Sequence, residues 1–362
     1  MSETEQIRLN RLPAITWYWL NMNETAVPYS GTDGEAAAEV KIPSGVSESR
    51  EKIEAKEEYR DLAEQPTGAG KHFSQLFEEN GIRTRIFTTA AGAKPGAALK
   101  IRIPFESGRK TLNSFAFDLG RDSELTVIMD FTSDPEASGE AGVRTLFRLG
   151  ENAVLKLVQI TRTGSGFTLV NDIGGHESDS ARTEVVQLNL DGGKVCQGYQ
   201  IDLAGYKSSL KTDIAYRLKD SEHLDMNYFA NHTGKKSECE INVTGVLRDT
   251  SSKILRATID LKKGAKGAVG NEKEDVLLMD EGVRNQTIPL ILCTEEDVEG
   301  NHGATIGRLD ESLMFYLESR GLDREEIYEM MAAARIAAAA ALIPDEETRS
   351  EVEQYIGAGS EE

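Results

Sequence analysis

Apolar and polar residues alternate along most of the middle of the chain. In ELTVIMDF, Leu125, Val127, Met129 and Phe131 share a face. In TEVVQLNLDGG, Val186, Leu188 and Leu190 do so, and in KVCQGYQIDLAG, Val195, Tyr199, Ile201 and Leu203. SECEINVTGVL and SKILRATIDLKKG continue the pattern, the first with Cys239, Ile241, Val243 and Leu247, the second with Leu255, Ala257, Ile259 and Leu261. A period of two marks half-buried strands. Gly192-Gly193, Gly205, Gly234 and Gly264 punctuate them with turn signals. No helical period intervenes between about residues 83 and 299, which leaves a sandwich, a barrel or a β-solenoid. The repeat is irregular, so periodicity does not choose among the three.

The flanks read differently. LNRLPAITWYWLNMNE, with Trp17, Tyr18 and Trp19, reads as a hydrophobic docking segment. SESREKIEAKEEYRDLAE reads as a solvated helix. PTGAGKHFSQLFEENGI predicts a short amphipathic helix burying Phe73, Leu76 and Phe77 and stopping at Gly81. Beyond Thr305 the period returns to 3.6. Asp310 is placed to cap ESLMFYLESR, which Gly321 ends. Asp323 and Glu326 resemble a capping box for REEIYEMMAAARIAAAAALI, which must end near Ile343 because Pro344 follows. Asp345 caps the last helix. The expected division is a mixed helical region over 1–82, a β body over 83–305 and a helical domain over 306–362. The smooth, alanine-rich face of the long helix would make a poor core and reads mildly as a partner surface.

Composition narrows the function. With 39% hydrophobic residues the 362-residue chain can build a real core. A net charge of −20 argues against nucleic acid or an anionic membrane as main partner. No stretch approaches the roughly 20 apolar residues that cross a bilayer. The opening MSETEQ has no basic segment followed by an apolar one, so the expectation is cytoplasmic. The 3 cysteines, at 196, 239 and 293, are too few and too scattered for a disulfide framework or a zinc site.

TGAGKH is not a phosphate loop: the required first glycine is Gln65, and His72 stands where Ser or Thr must follow the lysine. Cys239 is in phase with buried residues, and Cys293 after PLIL reads as core as well. Cys196 lies on the opposite phase and reads as the most exposed thiol. His176, His223 and His232 form no ligand spacing, and no G-x-S-x-G elbow is present. His302 differs in setting. It sits in Gly300-Asn301-His302-Gly303 at an element boundary, below Glu295, Glu296, Asp297 and Glu299. Two readings stand: a histidine that bonds its own turn, or an imidazole that meets iron or zinc.

NHGATIGRLDESLMFYLESRGL resembles the signature of the SufB/SufD family of iron–sulfur cluster assembly proteins. KGAKGAVGNEKEDVLLMDEGVRNQTIP before it is similar to the same family, as are NHT at Asn231–Thr233 and, further upstream, RLPAITWYWLNMN and PTGAGKHF. The His302-Gly303-Ala304 form is that of SufD-like members, where SufB members tend to read His-Glu-Ala. The resemblance implies a right-handed parallel β-helix with helical ends. It implies a non-catalytic scaffold that pairs with a SufB-like protein and holds the SufC-type ATPase on its C-terminal helices. The partner-binding positions would be Leu313, Phe315, Tyr316, Leu317, Arg320 and Gly321. No cofactor would stay bound; a transient iron–sulfur cluster would be shared with the SufB-like partner, His302 being its ligand on this chain. Many members read Cys-Ser-His-Gly there, whereas this chain has Gly300 in the cysteine's place. The alternatives are an adapter that touches no cluster and, apart from the resemblance, a carbohydrate-active solenoid enzyme. The second is poorly served by an aromatic content of 6%.

Overall fold

The alternating strands coil into a two-sheet β-solenoid of about 8 turns in a computed structural model that describes residues 5–358 apart from 17 and 30. Successive strands pass from one sheet to the other, so each sheet collects every second strand. Sheet I runs from Glu39–Lys41 through Leu99–Pro104 to Val298–Gly307, and sheet II from Val46–Glu51 through Thr84–Thr89 to Arg284–Cys293. The outermost N-terminal strand of each pairs antiparallel with its neighbour; the others are parallel and in register. Each turn takes about 30 residues: Val154 lies beside Glu124, and Leu155 beside Leu125.

The corner from sheet II to sheet I has one recurring backbone shape. Gly92, Asp122, Asn152, Ser180, Lys207, Lys236 and Gly267 all have positive φ, between 56° and 73°. Each donates its amide to a carbonyl one turn on, as Asp122 does to Glu151 and Lys236 to Lys266. The next residue is small and buried in six of these corners: Ser123, Ala153, Ala181, Ser208, Ser237 and Ala268. These left-handed corners are the repeat that residue types hide, because only some of the seven are glycine.

The space between the sheets is filled by stacked side chains such as Phe117, Phe147, Ile201, Tyr228 and Ile259. Each outer face is covered too. The hairpin of Glu5–Leu9 and Thr25–Tyr29 lies over sheet II with helix α2 (Lys71–Glu79), which follows the short α1 (Arg60–Ala63), and α2 buries Phe73, Leu76 and Phe77 as expected. This cover changes the reading of Cys196. Its side chain does point away from the core between the sheets, but Ala69 and Phe73 seal that face and the residue is 0% exposed. Burial pushes its thiol far up. SESREKIEAKEEYRDLAE is not one helix: Val46–Glu51 is a strand, and only Arg60–Ala63 is α-helical. The strand is drawn into antiparallel pairing with Thr84–Thr89, a tertiary demand that outweighs local helix propensity.

Sheet I carries the C-terminal helices α3 (Glu311–Ser319), α4 (Arg324–Ala340) and α5 (Glu346–Ala358). The Asp310 cap and the Asp323–Glu326 capping box form as expected. The alanine-rich stretch of α4 docks one side on the sheet, while Ala334, Ala337 and Ala338 stay exposed. Its Ile336, Ala339 and Ala340 lie on Ile160, Val186, Leu188 and Ala215, with Val352 and Ile356 of α5 beside them. Val186, Leu188 and Leu190 thus face the helices, while Thr183 and Gln187 are buried in the interior. Small residues let the helix approach a flat sheet closely, and the core missing from its own composition is supplied by that sheet.

Candidate partner interface

The last strand of each sheet has a neighbour on one side only. Val298–Gly307 is almost wholly exposed and Arg284–Cys293 half-exposed, in contrast with the buried strands before them. Two parallel edges with unpaired backbone groups are a template for a further layer of strand. Ile291 and Ile306 are exposed here, an apolar contribution to the same end.

Register aims the side chains. A Cβ at Gly270 would meet Ile259 Cγ2 of the interior at 2.5 Å, so this side of Ala268–Leu278 faces inward. Glu272 and Glu274 follow at the two-residue period, and His302 lies beside Glu272 in the last strand. His302 therefore stands at the open mouth of the solenoid. Its side chain is 30% exposed, Glu272 beneath it is 2% exposed, and Nδ1 lies 3.3 Å from Glu272 Oε2. Deeper still, the buried Lys253 ammonium pairs with Glu274. Thr287 donates to Glu274 Oε2 at 2.9 Å and accepts from Lys253 at 3.0 Å. Burial, then the charge of Glu274, pushes the Glu272 carboxyl up to about 8 against the pull of Lys253. Glu272, Glu274 and Lys253 were not singled out in the sequence. Only the register shows that Glu272 and Glu274 point inward.

The place of the missing cysteine is filled. A Cβ on Gly300 would come within 3.0 Å of Ile291 Cγ2 and 3.4 Å of its Cδ1. Of the upstream carboxylates, Glu295 is engaged elsewhere: it accepts the amides of Gly264 and Glu296, so it fastens a turn. Cys293 is exposed rather than core, and its thiol donates to the Glu295 carbonyl at 3.0 Å. It ends an edge strand whose outer neighbour is missing, which is why an apolar run leads to an open position. Cys239 is buried, as its phase predicts. His232 is buried with Nδ1 2.8 Å from Ser237 Oγ, and burial lowers it to about 4, so it is neutral. Among the described residues no three His, Cys, Asp or Glu side chains are grouped to hold a metal ion.

The adjoining helix α3 has no buried residue. The Asp310 carboxylate caps it by accepting the Ser312 and Leu313 amides. Met314 leans on the cluster of Val246, Leu277 and Tyr328, which leaves Phe315 73% and Tyr316 51% exposed, with Leu313 beside them. Arg320 lies over the Tyr316 ring at 5.1 Å, Leu317 is half-buried, and Gly321 ends the helix at φ 95°. The expected partner-binding residues thus gather on one uncovered helix next to the open strand edge.

The described residues thus form a β-solenoid with uncovered terminal strands and an exposed helix, α3, beside them. The SUF system FeS cluster assembly SufBD core domain matches residues 106–335, and the chain belongs to this SufB/SufD family. It is 27% identical over 210 residues to the iron–sulfur cluster assembly protein SufD of Bacillus subtilis, covering 57% of this chain and 48% of that protein. It is 26% identical over 243 residues to SufD of Escherichia coli, covering 66% of this chain and 57% of that protein. Both make it a SufD-like member, and the chain spans about half the length of these curated relatives. No helix among the described residues is long and apolar enough to cross a membrane.

Proposed function

We propose that this chain is a non-catalytic scaffold subunit of a Suf-type iron–sulfur assembly complex in the cytoplasm. It pairs with a SufB-like protein edge to edge through Arg284–Cys293 and Val298–Gly307, and seats a SufC-type ATPase on α3. The nascent cluster is cargo, built where His302 meets the partner. The observation that carries this reading is the open mouth. A solenoid that stops with both sheets unpaired, apolar side chains exposed and an imidazole at the rim is complementary to another solenoid end. The adapter that touches no cluster differs from it only at His302.

The test is anaerobic assembly of the three proteins with ferrous iron and a sulfide source. Phe315→Asp in the full chain should abolish ATPase retention while the SufB-like partner stays bound. His302→Ala should leave the complex intact and lower the cluster yield. Retained ATPase would refute the docking assignment, and an undiminished yield would leave the adapter.

A further inference from the structure

Glu272 is a buried carboxyl beside the Lys253–Glu274 pair. Its Oε1 has no hydrogen-bond partner among the described residues, and its Oε2 lies 3.3 Å from His302 Nδ1. A buried polar oxygen left without a partner is costly, so its place at the rim calls for a local purpose. We propose that Glu272 is the positioning residue for His302: it engages Nδ1 and thereby turns Nε2 out of the solenoid mouth toward the partner. This rests on reading His302 as the cluster contact.

Three features support it. The register fixes Glu272 next to His302 on the same side of adjacent strands, so the contact follows from backbone pairing rather than from a mobile side chain. The buried pair of Lys253 and Glu274, with Thr287, closes the floor beneath Glu272 and leaves the imidazole as its outlet. The charge state matters: a carboxylate accepts from Nδ1–H and leaves the Nε2 lone pair free, whereas a protonated carboxyl donating to Nδ1 would keep the ring proton on Nε2. A cation at Nε2 makes Nδ1–H the stronger donor and tightens the pair, as carboxylates behind ligating histidines do.

The same geometry excludes Glu272 as a ligand of that ion. The two ring nitrogens point to opposite sides of the imidazole, so a carboxylate held at Nδ1 does not reach what Nε2 holds. With Glu295 fastening its turn and Gly300 offering no thiol, neither adds a ligand beside His302.

The experiment compares Glu272→Gln, which still bonds Nδ1, with Glu272→Leu, which does not. Long-range proton–nitrogen correlation on nitrogen-15 histidine reports the His302 tautomer in the chain alone, read at the alkaline end of a pH series. The wild type should show mainly Nδ1–H, and Glu272→Leu should shift toward Nε2–H. In the anaerobic assembly Glu272→Leu should lose about tenfold or more in cluster yield, with Glu272→Gln recovering most of it and thermal unfolding matched between the two. An unchanged tautomer in Glu272→Leu, or equal yields from the two variants, would overturn the positioning role. Loss of that role leaves the ligand reading standing if His302→Ala still lowers the yield; an undiminished yield from His302→Ala with the tautomer shift present would instead remove the ligand reading alone.

Discussion

Arg256 and Asp225 form an ion pair closed to solvent, Nη1 to Oδ1 at 2.6 Å, and the N-terminal segment is fastened to it. Arg256 Nε donates to the Met22 carbonyl at 2.7 Å, and Asn10 Nδ2 donates to the same Asp225 oxygen at 2.6 Å. Breaking a buried pair from one side leaves a charge without compensation, which costs about 3–5 kcal/mol. Arg256→Ala should therefore lower the urea midpoint strongly. It should also free the stretch between Asn10 and Met22, so limited proteolysis should cut there before the solenoid unfolds. An unchanged cleavage pattern would show that the segment holds without Arg256, through its apolar contacts and the remaining hydrogen bonds such as Asn10 to Asp225.

The strap that carries PTGAGKHF crosses sheet II at close range and sets a pH dependence. A Cβ on Gly68 would meet Tyr199 N at 2.5 Å, so only glycine fits, and the next amide, Ala69 N, donates to Asp172 Oδ1 at 2.7 Å. This close approach, not phosphate binding, explains Gly68, while Gly70 holds φ 92°. Burial pushes the Asp172 carboxyl up to about 7, although the Thr67 and Ala69 hydrogen bonds pull it down. The folded chain then keeps a proton that the unfolded chain releases near pH 4. Stability declines as pH rises from about 4 to 7 and is flat above; roughly three units at 1.36 kcal/mol each set an upper limit of about 4 kcal/mol. Asp172→Asn keeps the acceptor and removes the charge. Its urea midpoint should fall less than that of the wild type between about pH 5 and pH 7.5.

The corner ladder gives a stabilising substitution. Lys236 holds φ 56°, in a conformation that costs a residue with a side chain about 1–2 kcal/mol. Its amide donates to Lys266 regardless of side chain. Lys236→Gly removes the strain and adds unfolded-chain entropy of about 0.5–1 kcal/mol, so the net gain should be about 0.5 kcal/mol in chemical denaturation. Lys236→Val should lose more than 1 kcal/mol, because a branched side chain tolerates this region least.

The strands, the helix stops and the capping residues were legible because each depends on its own neighbours: Asp323 and Glu326 close their box within one turn. Three features were not. The exposure of Cys196 depends on Ala69 and Phe73, more than a hundred residues away. The docking of α4 depends on a flat sheet whose outer residues, Val186 and Leu188, carry the same alternation as inner ones. At the mouth, His302 stood out by its glycines, whereas Glu272 did not, since a pairing register decides whether a glutamate in a charged run faces water or the interior.

That register makes the cysteine's absence testable. Gly300 and His302 lie two residues apart in Val298–Gly307 and share a side, so a thiol at position 300 would stand about 7 Å along the strand from the imidazole. Ile291 occupies the space it needs, with Cγ2 3.0 Å from the added Cβ. Gly300→Cys alone should hold its thiol off its best position until Ile291 shifts, whereas Gly300→Cys with Ile291→Ala gives room at an exposed edge where the cavity is open to water. Cobalt(II) is the probe, since a thiolate bond to it gives a charge-transfer absorption that imidazole does not. The double variant should show that band together with higher cobalt affinity than the wild type, and His302→Ala in its background should lose most of the gain. A band that survives this substitution undiminished would mean that the thiol binds without the histidine, and that the two positions share a strand face but not a metal.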